Sequence, residues 1–250
     1  MNIKILQLVE GAREARGLTI VIDVFRAFSV ACYVFGNGAK RIIPVDDLEI
    51  AKEIKMKNPD YILMGERGGK KPEGFDYGNS PTQIEHVDFS DKVIVHSTTA
   101  GTKGLVNAKN ADEIITGSFV NAHAVIGYIV AKELEEVSLV CMGKAGIAPS
   151  DEDTLCAQYL KNVLENRPHD FQKTIDYLRS YESAQKFFDP EMPWAPERDF
   201  ELCLSLNKFP FVLKTEPYRN GLICLKKVES IDEQTAMERN KEIRMKKIDF

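Results

Sequence analysis

Short apolar runs alternate with helical patterns through the first two-thirds of this chain, and that alternation constrains the fold more than any motif does. Leu18–Asp23, Arg41–Val45, Tyr61–Met64, Lys92–His96, Glu113–Thr116 and Val137–Cys141 each have the length and composition of a strand. Between them lie segments with a helical repeat. One runs from about Arg26 to Phe35 and stops at Gly36-Asn-Gly38. A second opens at Asp46-x-x-Glu49, with Ile50, Ala51 and Ile54 forming its apolar face. A third follows Ser118 and carries Val125, Ile126, Ile129 and Val130 on one side. A fourth follows Ser150-x-x-Asp153 and bears Leu155, Cys156, Tyr159, Leu160 and Val163. Such alternation predicts an α/β fold, a three-layer α/β/α core with a mostly parallel central sheet, over residues 1–166. Pro44 suggests an edge strand or a bulge.

Beyond Asn166 the alternation stops. A helix from about Phe171 to Phe188 leads into the proline-rich bend Asp189–Pro196, and a second helix covers Asp199 to Asn207. Phe211–Lys214 and Leu222–Leu225 read as a closing hairpin or sheet extension. Residues 167–250 are thus expected to be a helical and short-strand part packed on one side or rim of the core. Their last twenty-odd residues, highly charged, form a surface tail or strand.

With 250 residues, 44% of them apolar, the chain can bury a substantial core. Its apolar segments are too short for a transmembrane helix, and no secretory signal is visible. Five scattered cysteines read as buried thiols of a reducing, cytoplasmic environment. No CxxC or histidine cluster offers a zinc site. A formal charge of −5 argues against bulk nucleic-acid binding while allowing a local positive pocket.

The chemistry-bearing residues fall after strands. Asp23 and Arg26 follow the first; Glu66 and Arg67 follow another and open a glycine-rich connection from Gly65 to Pro81. Ser97, Thr98, Thr99 and Thr102 follow a third, Ser118 a fourth, and Gly143–Gly146 a fifth. If these strands are parallel, all these groups gather at one rim, where open α/β sheets bind ligands and helix N-termini offer N–H groups to anions. Glycines let the Gly65–Pro81 backbone approach a ligand, and its charges of both signs suit an anionic substrate held with a metal ion. Each group also has an ordinary use. Asp23 serves equally as a helix cap, Ser97–Thr102 as a helix start, Asp151–Asp153 as dipole complements, and Lys103 and Lys144 as solvated charges; His96 and His123 favour packing or hydrogen bonding. No GxxxxGK[ST], complete GxGxxG or GxSxG occurs. Haloacid dehalogenase phosphatases have a second aspartate two positions after their strand-end one, where this chain has Phe25.

Six blocks together carry a family resemblance. They are Asp23-Val-Phe-Arg-Ala27, Gly65-Glu-Arg-Gly-Gly69, Gly74-Phe-Asp-Tyr-Gly-Asn-Ser-Pro81, Thr98-Thr-Ala-Gly-Thr102, Gly117-Ser-Phe-Val-Asn-Ala122 and Glu152-Asp153. Over residues 18 to 160 the chain resembles 2-phosphosulfolactate phosphatase. The pairing of Gly65–Gly69 with Gly74–Pro81 is the specific part; Ala100 departs from the pattern, where an asparagine is expected. The resemblance implies a Mg²⁺-dependent hydrolase that converts 2-phospho-3-sulfolactate to 3-sulfolactate and phosphate, a step of coenzyme M biosynthesis in methanogens. On this reading Asp23, Arg26, Glu66 and Arg67 are catalytic. Asp23, Glu66 and Asp153 hold the metal, with Asp76 and Glu152 as further candidates. The anionic substrate meets Arg26, Arg67, Thr98, Thr99, Gly101, Thr102 and Ser118. The nucleophile is a metal-activated water, the alternative being a serine or threonine of Ser97–Thr102. A binder of a small phosphorylated or sulfonated acid, without this catalysis, is the competing function. A homodimer is compatible with all of this.

Overall fold

The computed structural model describes residues 1–132 and 134–229. The expected tail over the last twenty-odd residues lies outside them. Nine strands form one mixed, mostly parallel sheet flanked by helices, the three-layer α/β/α arrangement that the alternation predicts. In chain order they are β1 (Asn2–Gln7), β2 (Leu18–Ile22), β3 (Arg41–Pro44), β4 (Ile62–Gly65), β5 (Val93–Ser97), β6 (Glu113–Gly117), β7 (Glu136–Cys141), β8 (Phe211–Pro217) and β9 (Ile223–Glu229). Their order across the sheet is β1-β7-β2-β6-β8-β9-β3-β5-β4.

β1, β7, β2 and β6 make one parallel block, and β3, β5 and β4 make another. The β8–β9 hairpin joins them through antiparallel ladders on both sides. The C-terminal hairpin therefore occupies the middle of the sheet rather than a rim, which corrects the expectation that the core ends at residue 166. Three successive antiparallel junctions also make the two blocks run in opposite senses. The chemistry-bearing strand ends consequently do not share one edge of a flat parallel sheet.

They meet because the sheet curls. Adjacent strands rotate by roughly 20–25° per step, or about 100–125° over the five steps from β2 to β5. The junctions are thin as well: Ile42↔Leu225 is the one β3–β9 pair, and Ile115↔Lys214 and Thr116↔Leu213 hold β6 to β8. The object inside the curl is the helix Ala27–Gly36, in which Ala27 through Phe35 are all buried. A helix buried on every side must be surrounded. One cluster accordingly joins this helix to Val21 and Val140 of the first block and to Ile42, Met64 and Ile94 of the second. The helix that leaves β5, Gly101–Asn107, packs across onto the first block. At Gly104 a Cβ would lie 2.5 Å from Val21 Cγ1 and 2.4 Å from Met142 Sδ, so only glycine permits that approach.

Local departures have local causes. Pro44 is the last residue of an interior strand; Val45, not Pro44, donates to His96 O, and the β9 ladder does not reach that far. Asp47 rather than Asp46 caps Leu48–Lys57, accepting from Glu49 and Ile50 N–H, and Ile50 faces solvent. The helix expected from 171 to 188 divides into Phe171–Ser180 and Glu182–Gln185 at extended Tyr181, and the next one spans Glu197–Cys203 after Pro196. No helix among the described residues is long and apolar enough to cross a membrane. All five cysteines are buried and unbridged, as their apolar settings suggest.

Candidate active site

Asp23 stands where β2 gives way to the buried helix. Its Oδ1 accepts from Ala27 N–H at 3.0 Å, so the capping use is real. Its Oδ2 has no donor among the described residues and points at Gly101, where a Cβ would come within 3.0 Å. Burial pushes the Asp23 carboxyl up to about 6; Ala27 N–H opposes this, Glu66 and Glu152 add to it, and Lys186 offsets part of it.

Three further carboxylates surround it, one brought by the loop after β4 and two by the first turn of the helix Asp151–Leu164. Glu66, after β4, accepts from Thr99 N–H and Thr99 Oγ1, both at 2.8 Å, and from Gly69 N–H at 2.8 Å. It thus ties the glycine loop of one strand to the threonine turn of the next. Gly65 precedes it with φ +150°, and a Cβ there would strike Ser97 O at 1.9 Å. Asp153 lies in the first turn of Asp151–Leu164. Its two oxygens accept from Val24 N–H and Gly143 N–H, both at 2.8 Å, clamping the ends of β2 and β7. Burial holds its carboxyl well above the usual range, and Glu152 and Asp23 add to that. Glu152, also buried, accepts from Ser183 Oγ at 2.6 Å through Oε2, and Oε1 has no donor among the described residues.

Arg67 ties together the segments that leave β3, β4 and β5. It donates to Glu66 O at 2.6 Å, Asp46 O at 2.5 Å and Ser97 Oγ at 2.9 Å. Three of the five guanidinium N–H groups are engaged, so roughly two stay available in a fixed plane. Thr99 binds Glu66, and Gly101 opens the helix facing Asp23. Buried Thr102 donates to Thr98 O at 2.7 Å, which turns the Thr98–Thr102 loop in on itself.

Three sequence candidates stand apart from this group. Arg26 is buried, with Asp199 at 2.5 Å, Trp194 O at 2.8 Å and Gly69 O at 3.2 Å; it binds the C-terminal segment to the glycine loop. Ser118 is fully buried, its hydroxyl 2.6 Å from Ser29 Oγ beneath the helix start. Asp76 accepts from Leu63 N–H at 2.7 Å and pins the glycine loop along β4. His96 is buried against Asn79 at 3.1 Å, and burial lowers its imidazole to about 4, a hydrogen-bonding role like the one favoured for it above.

Sequence reading missed Lys186, Ser183 and Asp199. All three come from the C-terminal segment, which carries none of the motif blocks. The one hint is a lysine beside the apolar pair Phe187-Phe188.

Among the described residues no three His, Cys, Asp or Glu side chains form a ready metal cage. Mg²⁺ does not require one, because it keeps several waters and uses one or two carboxylates. Asp23 Oδ2 and Glu152 Oε1, unpaired oxygens of mutually repelling buried acids, fit that demand.

Residues 3–217 match the family described as 2-phosphosulpholactate phosphatase, and the chain belongs to that family. Relatives named "Probable 2-phosphosulfolactate phosphatase" share this similarity. The Bacillus subtilis protein is 33% identical over 200 residues, 80% of this chain and 87% of its own. That of Caldicellulosiruptor saccharolyticus is 39% identical over 173 residues, 67% and 71% of the two chains. The Thermotoga maritima protein is 33% identical over 216 residues, 83% and 91%.

Proposed function

We propose that this chain is a phosphoric monoester hydrolase acting on 2-phospho-3-sulfolactate, releasing 3-sulfolactate and phosphate in the cytoplasm. Family membership supports the reaction, and the free, buried thiols support the compartment. The observation that carries the site is the crowding of Asp23, Glu66, Glu152 and Asp153 around one cleft, with donorless oxygens on Asp23 and Glu152.

Asp23 and Glu152 would hold Mg²⁺, with Glu66 flanking Asp23. Bound there, the ion would neutralise phosphoryl charge and make a water more acidic. The chain's own contribution is orientation and proton handling. Arg67, fixed by Glu66, Asp46 and Ser97, presents its free N–H edge to a planar or tetrahedral anion. The N–H groups of Ala100 and Gly101, at the start of their helix, add donors. Attack by water releases a proton, which we place on Glu66, the carboxylate that flanks the metal-holding Asp23. Asp153, with both oxygens held by backbone N–H groups, serves as the brace behind Asp23.

The test is turnover of 2-phospho-3-sulfolactate with and without Mg²⁺, followed by stereochemistry at a chiral phosphorus. Mg²⁺-dependent release with inversion is expected. Retention, or a trapped phosphothreonine in Ser97–Thr102, would move the nucleophile to that turn. Absence of turnover with tight phosphate binding would favour the binder.

A further inference from the structure

Lys186 follows the short helix Glu182–Gln185, in a segment without family motifs. Its ammonium reaches back more than 150 residues in sequence to Phe25 O, at 3.4 Å. The stem is flanked by rings, with Nζ 5.7 Å from the Phe25 centroid and 5.0 Å from that of Phe187. Among the described residues no carboxylate lies within ion-pair distance of it, although Asp23 and Glu152 both act on its charge. Burial and nearby Arg26 lower its proton affinity, and Glu152 and Asp23 pull it back. A half-buried ammonium set against two aromatic rings, with no carboxylate in ion-pair contact among the described residues, keeps a charge that an anionic group can complete.

Arg26 cannot take that part, because Asp199, Trp194 O and Gly69 O hold its guanidinium. Arg67 has a planar edge free on the Glu66 side of the cleft. The two cations therefore differ in kind and in place. A compact point charge beside Asp23 and Glu152 suits a tetrahedral phosphoryl group; a guanidinium fork suits a carboxylate or sulfonate.

We infer that Lys186 contacts the phosphoryl group of the substrate, as a phosphate-specific binding residue contributed by the C-terminal segment. The inference rests on the reading of the cleft as a phosphomonoester site, and two observables separate their failures. Lys186→Met keeps the stem packed between Phe25 and Phe187, and Lys186→Gln keeps a polar tip. Calorimetric titration with inorganic phosphate, in Mg²⁺, should show at least a tenfold loss of affinity in both variants and about a threefold change or less in Lys186→Arg. Affinity for 3-sulfolactate, titrated in the same way, should change less than twofold. Unfolding temperatures identify the variants that are folded, so that affinity loss is read on native protein. Phosphate bound equally by wild type and a folded Met or Gln variant overturns the inference, as does an equal loss for sulfolactate and phosphate. Lysine-dependent phosphate binding without hydrolysis of 2-phospho-3-sulfolactate supports the contact and sinks the substrate assignment instead.

Discussion

Replacing Asp23 by asparagine should make the metal-free protein more stable while abolishing turnover. The carboxyl rises from 3.8 to about 6 on folding, mainly through burial, with Glu66 and Glu152 adding repulsion. Because the folded value lies above the unfolded one, the folded state prefers the neutral acid. This preference is fully present below about pH 3.8 and is lost as pH rises through about 6. A shift of this size corresponds to roughly 3 kcal/mol of destabilisation at neutral pH. Asparagine keeps the cap to Ala27 N–H, through Oδ1, and removes the charge. Allowing for imperfect replacement at Oδ2, we expect a gain of about 1–3 kcal/mol, or about 3–10 °C for a domain of this size. The assay is thermal unfolding with chelator at pH 7.5 and pH 4, beside kcat at saturating Mg²⁺. The gain should appear at pH 7.5 and nearly vanish at pH 4. Added Mg²⁺ should stabilise the wild type and leave the variant almost unmoved. A variant less stable than wild type at pH 7.5, or a difference independent of pH, would refute the reasoning. Such a result would mean that Asp23 is chiefly a structural cap.

Other substitutions probe the remaining parts. Asp199→Ala leaves the buried Arg26 guanidinium unpaired and should cost about 3–5 kcal/mol in urea unfolding, most of it recovered in the Arg26→Met, Asp199→Leu double variant. Arg67→Lys keeps charge but loses the bonds to Asp46 O and Ser97 Oγ, and kcat/KM should fall by about ten- to a hundredfold; an unchanged value removes Arg67 from the site. His96, lowered from 6.5 to about 4, stays neutral in the fold. It should subtract stability as pH falls from about 6.5 to 4, by up to about 3 kcal/mol, an acid-side slope that His96→Gln should lack. Gly104→Val would drive side-chain atoms into Val21 and Met142 and should destabilise by at least about 1–3 kcal/mol in the same unfolding assay.

The β–α units were legible because their signal is local. A strand or helix declares itself in the period of its apolar residues, and β2 through β7 fall where those periods end. β1 escaped notice because Lys4 and Gln7 break its apolar pattern, which an edge strand with one partner tolerates. For the same reason of locality Asp23, Glu66 and Thr99 could be marked as chemistry-bearing: each directly follows a strand. Nothing local says that β8 and β9 enter the middle of the sheet. That insertion is a matter of which long-range ladder buries the most backbone and side chain. It reverses one parallel block, and the buried helix Ala27–Gly36 then draws both blocks around itself. Arg26 and Lys186 show what this decides. As residue types both are candidate anion binders, yet Arg26 became a buried tie when the fold set Asp199 against it. Lys186 became available because the chain's return placed it near Asp23 and Glu152 with no carboxylate of its own among the described residues. Charge in a sequence is only potential chemistry; the partner that tertiary packing supplies or withholds determines whether a charge is neutralised or left available for a ligand.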